Sequence, residues 1–331
     1  MPLKLEPKKV EAHRLISEAY GLRGYPTIVF TDAAGRELDR FLGYRGPDEL
    51  LAEIARIRSG DTFVACLDRL DADPASLADL ERVVGGFLDR DDPGAALERI
   101  DAYRAALPEG EGDGSGRLAL RAMTQQHGWA YRRAGRAYKN GWEEPPDLSA
   151  SRATPALLAL LEGGLAGLSE DEQAEALRRA RHDDAGLILT EVPADDIPAG
   201  DLVELADFAD TNGHYELAGD LFRRWYEQAG ENASVDALNG AAWTLYLSRQ
   251  DLDLAVVMAR QAYAGDSSPM VADTLGRLLY VAGRVDEAIE VQSRAAAGAE
   301  GFEAEDYEAV VQAMRAREEL DDRPQFESYP G

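Results

Sequence analysis

The chain has 331 residues, an ordinary apolar content of 45%, one cysteine and a formal charge of −27. That length accommodates two or three domains and a sizeable core, while one cysteine excludes an internal disulfide framework or a Cys-rich zinc site. The negative field opposes nucleic acid and anionic membrane, because both need their phosphates neutralised.

The charge is uneven. Residues 1–58 hold ten Lys/Arg and nine Asp/Glu, a balance of +1, which leaves 25 and 53, or −28, for the rest. Two regions of different character follow from that split. No apolar run is long enough to span a bilayer, and "MPLKLEPKK" lacks the apolar core of a signal peptide. As written, the chain is expected to be soluble and cytoplasmic; a start upstream of Met1 would open an extracytoplasmic location.

"PLKLEP" reads as the tail of a strand. Ala12, Leu15, Ile16, Ala19 and Tyr20 keep the spacing of a helix face. "TIVFT", residues 27–31, is β-branched and aromatic and reads as a buried strand. "DAAG" follows, with Gly35 free to take the positive φ of a hairpin turn, and "RELDRFLGY" is the return strand. "GPDELLAEIARIRSG" is a marked helix, with Pro47 at its first position, Asp48 and Glu49 in its first turn and Gly60 beyond its end.

"YGLRGYPT" followed by "GRELDRFLGYRGPDELLAEI" resembles the second half of a thioredoxin domain of the protein-disulfide-isomerase type, over roughly residues 3–58. The resemblance implies a cis-proline motif of Tyr25, Pro26 and Thr27, with Tyr25 facing the active site. It also implies a Cys-x-x-Cys helix and a first core strand ahead of this stretch, and neither stands in this sequence. The edge left open by that strand is expected to be filled by another element or a partner, covered by packing on the helical region, or completed by residues upstream.

From Asp61 onward the pattern is helical, broken at "DADPAS", "RDDPG", "PEGEGDGSG" and "EEPPDLSASRATP". Near the C-terminus a period emerges. Leu205, Ala206, Ala209, Gly213, Tyr215, Ala218 and Phe222 keep one set of offsets. Leu275, Gly276, Leu279, Gly283, Ala288 and Ala295 keep the same set. Between them Ala242, Ala255 and Ala262 fit if the turn is one residue longer. The anchors Ala206, Ala242 and Gly276 are 36 and 34 residues apart. These offsets resemble tetratricopeptide repeats. An earlier unit surrounds Val84, Ala96 and Tyr103, and residues 155–183 form a less regular one. A generic helical bundle is the alternative.

The predicted fold is therefore a partial thioredoxin-like α/β module over 1–59, a helical region with one repeat-like unit and a basic aromatic helix over 60–142, and a mostly α-helical repeat solenoid over 143–331. If the solenoid forms, the repeat family implies a groove lined by Asp207, Asp210, Asn239, Trp243, Tyr246, Asp273, Arg277 and Tyr280. Inter-repeat packing is the other role open to these residues. No lysine follows Lys139, a departure from the family's basic clamp for chaperone C-termini.

No catalytic constellation emerges. The histidines 13, 127, 182 and 214 are scattered, and "RHDDAG" reads as a helix end. Neither a phosphate loop nor a nucleophile elbow is present. Cys66, between Phe63 and Leu67, reads as a small buried hydrophobe. Residues 113–142 carry Arg117, Arg121, Arg132, Arg133, Arg136 and Lys139 with four aromatics. This helix either docks on the protein's own acidic helices or grips an anionic partner. The expectation is a binding or scaffold protein for a protein or peptide, with no metal, cofactor or membrane partner and with homodimerisation through the open sheet edge. The alternative is a thiol–disulfide oxidoreductase or isomerase whose Cys-x-x-Cys segment lies upstream of Met1 or is lost.

Overall fold

The structure, a computed structural model, describes residues 11–320 apart from 23–25, 109–113, 143–146, 149–150, 166, 193, 195–196 and 231–232. The described residues form fifteen α-helices and one small antiparallel sheet, and 73% of them are helical. It divides into two compact units, residues 1–158 and 159–331.

In the first unit, α1 (Glu11–Ala19) precedes β1 (Thr27–Thr31) and β2 (Glu37–Leu42), which pair with Thr27 opposite Leu42 and Val29 opposite Arg40. The turn forms because the Asp32 carboxylate accepts from the amides of Ala34 (2.8 Å) and Arg36 (2.9 Å), while Gly35 takes φ +80°. Tyr20 donates its hydroxyl to the Gly35 carbonyl at 2.6 Å, tying the end of α1 to the hairpin. The helix α2 (Pro47–Arg58) has Pro47 at its first position, and the Glu49 carboxylate accepts from the Gly46 amide. Gly60, beyond its end, has φ +88°. The strand expected at "PLKLEP" and the residue Tyr25 lie outside the described residues.

The hairpin is held to the following helices through β2. Asp39, 3% exposed, accepts at one carboxylate oxygen from Arg56 (2.9 Å) and from the Phe63 amide (3.1 Å). Glu37 accepts from Arg40 and Arg90, and the Arg90 guanidinium lies 3.8 Å over the Phe63 ring. Buried ions are costly unless paired and hydrogen-bonded, and these are both. Among the described residues the sheet has these two strands, and Phe41 is buried with Phe30 beside it.

Four helices follow: α3 (Phe63–Ala72), α4 (Leu77–Leu88), α5 (Pro93–Ala106) and α6 (Gly116–Lys139). Thr62, Ser76 and Asp92 cap the first three, each side chain accepting an amide three residues on. Leu80, Val84, Ala96 and Ile100 are fully buried between them. α4 crosses α3 so closely that a Cβ at Gly86 would stand 2.1 Å from the Phe63 ring.

The helix α7 (Pro155–Gly163) contains the division between units, and α8 (Glu170–Glu191) runs past the end of the unit expected at 155–183. Three helix pairs then stack: α9 (Leu202–Thr211) with α10 (Tyr215–Ala229), α11 (Val235–Ser248) with α12 (Leu252–Gly265), and α13 (Pro269–Val281) with α14 (Val285–Gly298). A final helix, α15 (Gly301–Ala316), packs on α14. Ala206, Ala218, Ala242, Ala255, Ala262, Ala288 and Ala295 are all fully buried, so the small residues do stand where paired helices meet. At Gly276 a Cβ would come 2.4 Å from the Gln292 side chain of α14. Gly213 and Gly283 close their turns with φ +83° and +79°. In the middle pair Arg249 (φ +57°) and Asp251 (φ +44°) do so instead, accommodating the extra residue between Ala242 and Ala255.

Candidate functional site

The first helices of the three pairs, α9, α11 and α13, are joined side by side by their polar and aromatic residues. Thr244 on α11 donates to Asp210 on α9 at 2.8 Å. Trp243 packs on Tyr246, ring centroids 5.3 Å apart, and the Arg277 guanidinium of α13 lies 5.9 Å from the Trp243 ring. These contacts make one continuous wall from α9 to α13.

Its two ends differ. At the α9 end Asp207 is exposed and Asp210 half-buried. Desolvation raises both carboxyls above their ordinary range. Asp210 and Glu204 push Asp207 further up, and the Thr244 hydroxyl partly offsets the shift at Asp210. Burial and the Asp210 charge also raise the Tyr215 phenol. Trp243 and Asn239 are half-buried, and the Asn239 carbonyl oxygen is buried without a hydrogen-bond partner. Such an orphan acceptor carries a desolvation cost that rotation toward an incoming N–H would relieve.

At the α13 end the wall is closed. Asp273 and Arg277 are buried at 7% and 5% exposure, with Arg277 Nε 2.9 Å from both Asp273 oxygens. Gln292 donates to the same carboxylate at 2.6 Å, and Arg277 reaches Asp306 on α15 at 3.5 Å. These two side chains serve packing of the chain on itself, Asp273 within the pair α13–α14 and Arg277 toward α15. Tyr246 is fully buried and supports the wall from behind. Tyr280 donates its hydroxyl to the carbonyl of Glu318, beyond α15, at 2.7 Å.

Sequence reasoning missed Thr244 and Arg249, and it placed Tyr215 in the periodic pattern without placing it beside Asp210. The signal for Arg249 was there: it stands at the turn position that Gly213 and Gly283 hold in the other pairs. Of the residues expected to form a cis-proline motif, Pro26 is exposed and its carbonyl accepts from the Gly43 amide at 2.8 Å, while Thr27 opens β1.

The other candidates lie elsewhere. Cys66 is 1% exposed, and burial, with Asp61 beside it, pushes its thiol up to about 12. That is the reverse of what a reactive thiolate requires. His182 and His214 stack with centroids 3.9 Å apart and planes within 9°. His182 Nδ1 meets the Asn212 carbonyl and His214 Nε2 the His182 carbonyl, each at 3.0 Å. The helix end expected at "RHDDAG" is instead the middle of α8. Among the described residues no three His, Cys, Asp or Glu side chains could hold a metal ion, and no helix is long and apolar enough to cross a membrane.

On α6, Arg121, Arg132, Arg133, Arg136 and Lys139 are exposed, with Arg133 stacked 4.1 Å over the Trp129 ring. Arg117 sits 4.0 Å from Glu81. The opposite face, including Leu118, Ala122, Met123, Ala130, Ala134 and Ala137, is core. The arginines and the lysine therefore face outward as a cationic stripe able to meet an acidic surface.

No family model matches the chain, and no curated protein matches it.

Proposed function

We propose that this is a binding protein that captures a cationic, extended segment of another protein on the wall formed by α9, α11 and α13, with no reaction of its own. In this reading the helix pairs are tetratricopeptide-like repeats and the hairpin with α1 and α2 is a thioredoxin-like remnant that packs on helices through β2. The observation that carries the proposal is the contrast along the wall, open and acidic at α9 but closed by the chain itself at α13. Two carboxyls held above their ordinary range, both by desolvation and Asp207 also by the Asp210 and Glu204 charges, gain when a Lys or Arg approaches. Trp243 beside them offers apolar area, and Asn239 an acceptor in need of a donor. Cys66 is buried and inert, so thiol exchange gains no support from it.

Fluorescence anisotropy with labelled Arg- and Lys-containing peptides tests this, with acidic peptides of matched length as the comparison. Cationic peptides bind in the micromolar range, and Asp207→Asn with Asp210→Asn weakens them about tenfold, near 1.4 kcal/mol. Equal binding of acidic peptides, or no loss in the double variant, would overturn the assignment.

A further inference from the structure

Residues 317–320, beyond the end of α15, lie against the helices rather than away from them. Arg317 takes a left-handed conformation, φ +57°, and turns the chain off the helix axis. The next residues run back along the closed end of the wall. Tyr280, at the end of α13, donates to the Glu318 carbonyl at 2.7 Å. Arg249, at the end of α11, donates to the Leu320 carbonyl at 3.2 Å. Leu320 is 6% exposed, whereas Glu318 and Glu319 are exposed.

This arrangement has the features of a ligand in a site. The two carbonyls belong to residues two apart and meet donors on one wall, which is the spacing of an extended chain. Both donors are side chains that address main chain, so they recognise a backbone rather than a particular sequence. The single anchored side chain is an aliphatic one. The Arg249 guanidinium is also held in place independently of the segment. Its other nitrogen donates to the Tyr246 carbonyl at 2.9 Å, and the group lies 4.2 Å over the Tyr246 ring. The backbone at Arg249 adopts φ +57°, where glycine is the residue of least cost.

We propose that the wall between Tyr280 and Arg249 is a seat for an extended peptide with an aliphatic side chain, filled here by the chain's own Glu318–Leu320. This rests on the groove reading above and extends it. The wall has two subsites, an open acidic one at α9 and α11 and a self-occupied one at α11 and α13. A partner that spans both must displace the internal segment. Because that segment is tethered, it competes at an effective concentration on the order of millimolar.

The test uses the full chain, its Leu320→Asp and Leu320→Ala variants, and a fluorescein-labelled peptide of residues 315–331 added in trans. Leu320→Asp puts a charge into a buried seat and releases the internal segment. It should bind the peptide at least about tenfold more tightly than the unaltered chain, with Leu320→Ala in between. Should Leu320→Asp lose its helical circular dichroism, Leu320→Ala carries the same reading. Equal binding by the unaltered chain and the folded variants, or no binding by any of them, overturns the seat. The cationic peptide is titrated into the same samples. If it still binds while the tail peptide shows no gain, the seat alone fails; if it too fails to bind, the groove reading falls with it.

Discussion

The hairpin of the first unit and the helix pairs of the second are fastened by different means. In residues 1–158 the junction between hairpin and helices is ionic, with Asp39, Glu37, Arg40, Arg56 and Arg90 drawn in around β2. In residues 159–331 the helices of each pair meet through alanine and glycine, with Ala206, Ala242 and Gly276 at the contact points. The difference follows from geometry. A two-stranded hairpin has one short face to bury and backbone groups left at its ends, so charged side chains with several hydrogen bonds can both satisfy and fasten it. Two long helices approach along their whole length, and the residue with the least bulk lets the most neighbours touch. Charge fixes direction; smallness fixes distance.

The sharpest way to break the contrast is at Asp39. Asp39→Ala leaves the Phe63 amide without its acceptor and strips one carboxylate from Arg56, at a cost of about 3 kcal/mol. Amide exchange should quicken in β2 and α3 and stay unchanged in α13 and α14. Loss of protection spread equally over both units would show that the ionic junction is not local.

Gly276→Ala is the converse lesion. The new Cβ meets Gln292, whose amide donates to Asp273, so the cost is not confined to one contact. Helix propensity returns about 1 kcal/mol and overpacking takes about 1–3, for a net loss of about 0–2 kcal/mol. Urea denaturation followed by circular dichroism should show the shift. A gain in stability would mean that α13 and α14 can move apart without penalty.

The smallest effect concerns the stacked histidines that join α8 to the turn before α10. Desolvation lowers the His214 pKa from its ordinary 6.5, and the neighbouring His182 charge adds to it. The hydrogen bond to the His182 carbonyl and the Asp183 charge oppose it. With the folded value depressed, the neutral ring contributes stability above pH 6.5, and that stability is lost as the pH falls through the folded value. The thermal midpoint should therefore drop between pH 7.5 and 5.5, and His214→Gln should flatten the dependence. An unchanged slope in that variant would assign the acid sensitivity to other groups.

Much of this was legible in the sequence because it is encoded locally. Pro47 and Gly60 bracket α2, Asp32 and Gly35 specify the turn between the strands, and the spacing of Ala206, Ala242 and Gly276 marks the contact points of the helix pairs. The site was legible only in part. The spacing places Asp207 and Trp243 on the face shared by α9, α11 and α13, but it says nothing of what lies over that face. Asp273, Arg277 and Tyr280 have the same periodicity as their counterparts. They differ because α15 and Glu318–Leu320 fold back on them, a contact 38 residues from Tyr280 in the chain. Tyr246 reads as a surface aromatic until its neighbours are known. The outward-facing stripe on α6 follows from which of its faces is core, and that choice too is made in three dimensions.

Cys66 has a use that its inertness creates. The chain's only thiol is 1% exposed at the junction of α3 with the elements around it, hydrogen-bonded to Asp61 and Arg69. A thiol reagent in solution can react there only when the surrounding helices part. Its rate of modification at neutral pH is thus a clock for the opening of the first unit, already installed and needing no engineered label.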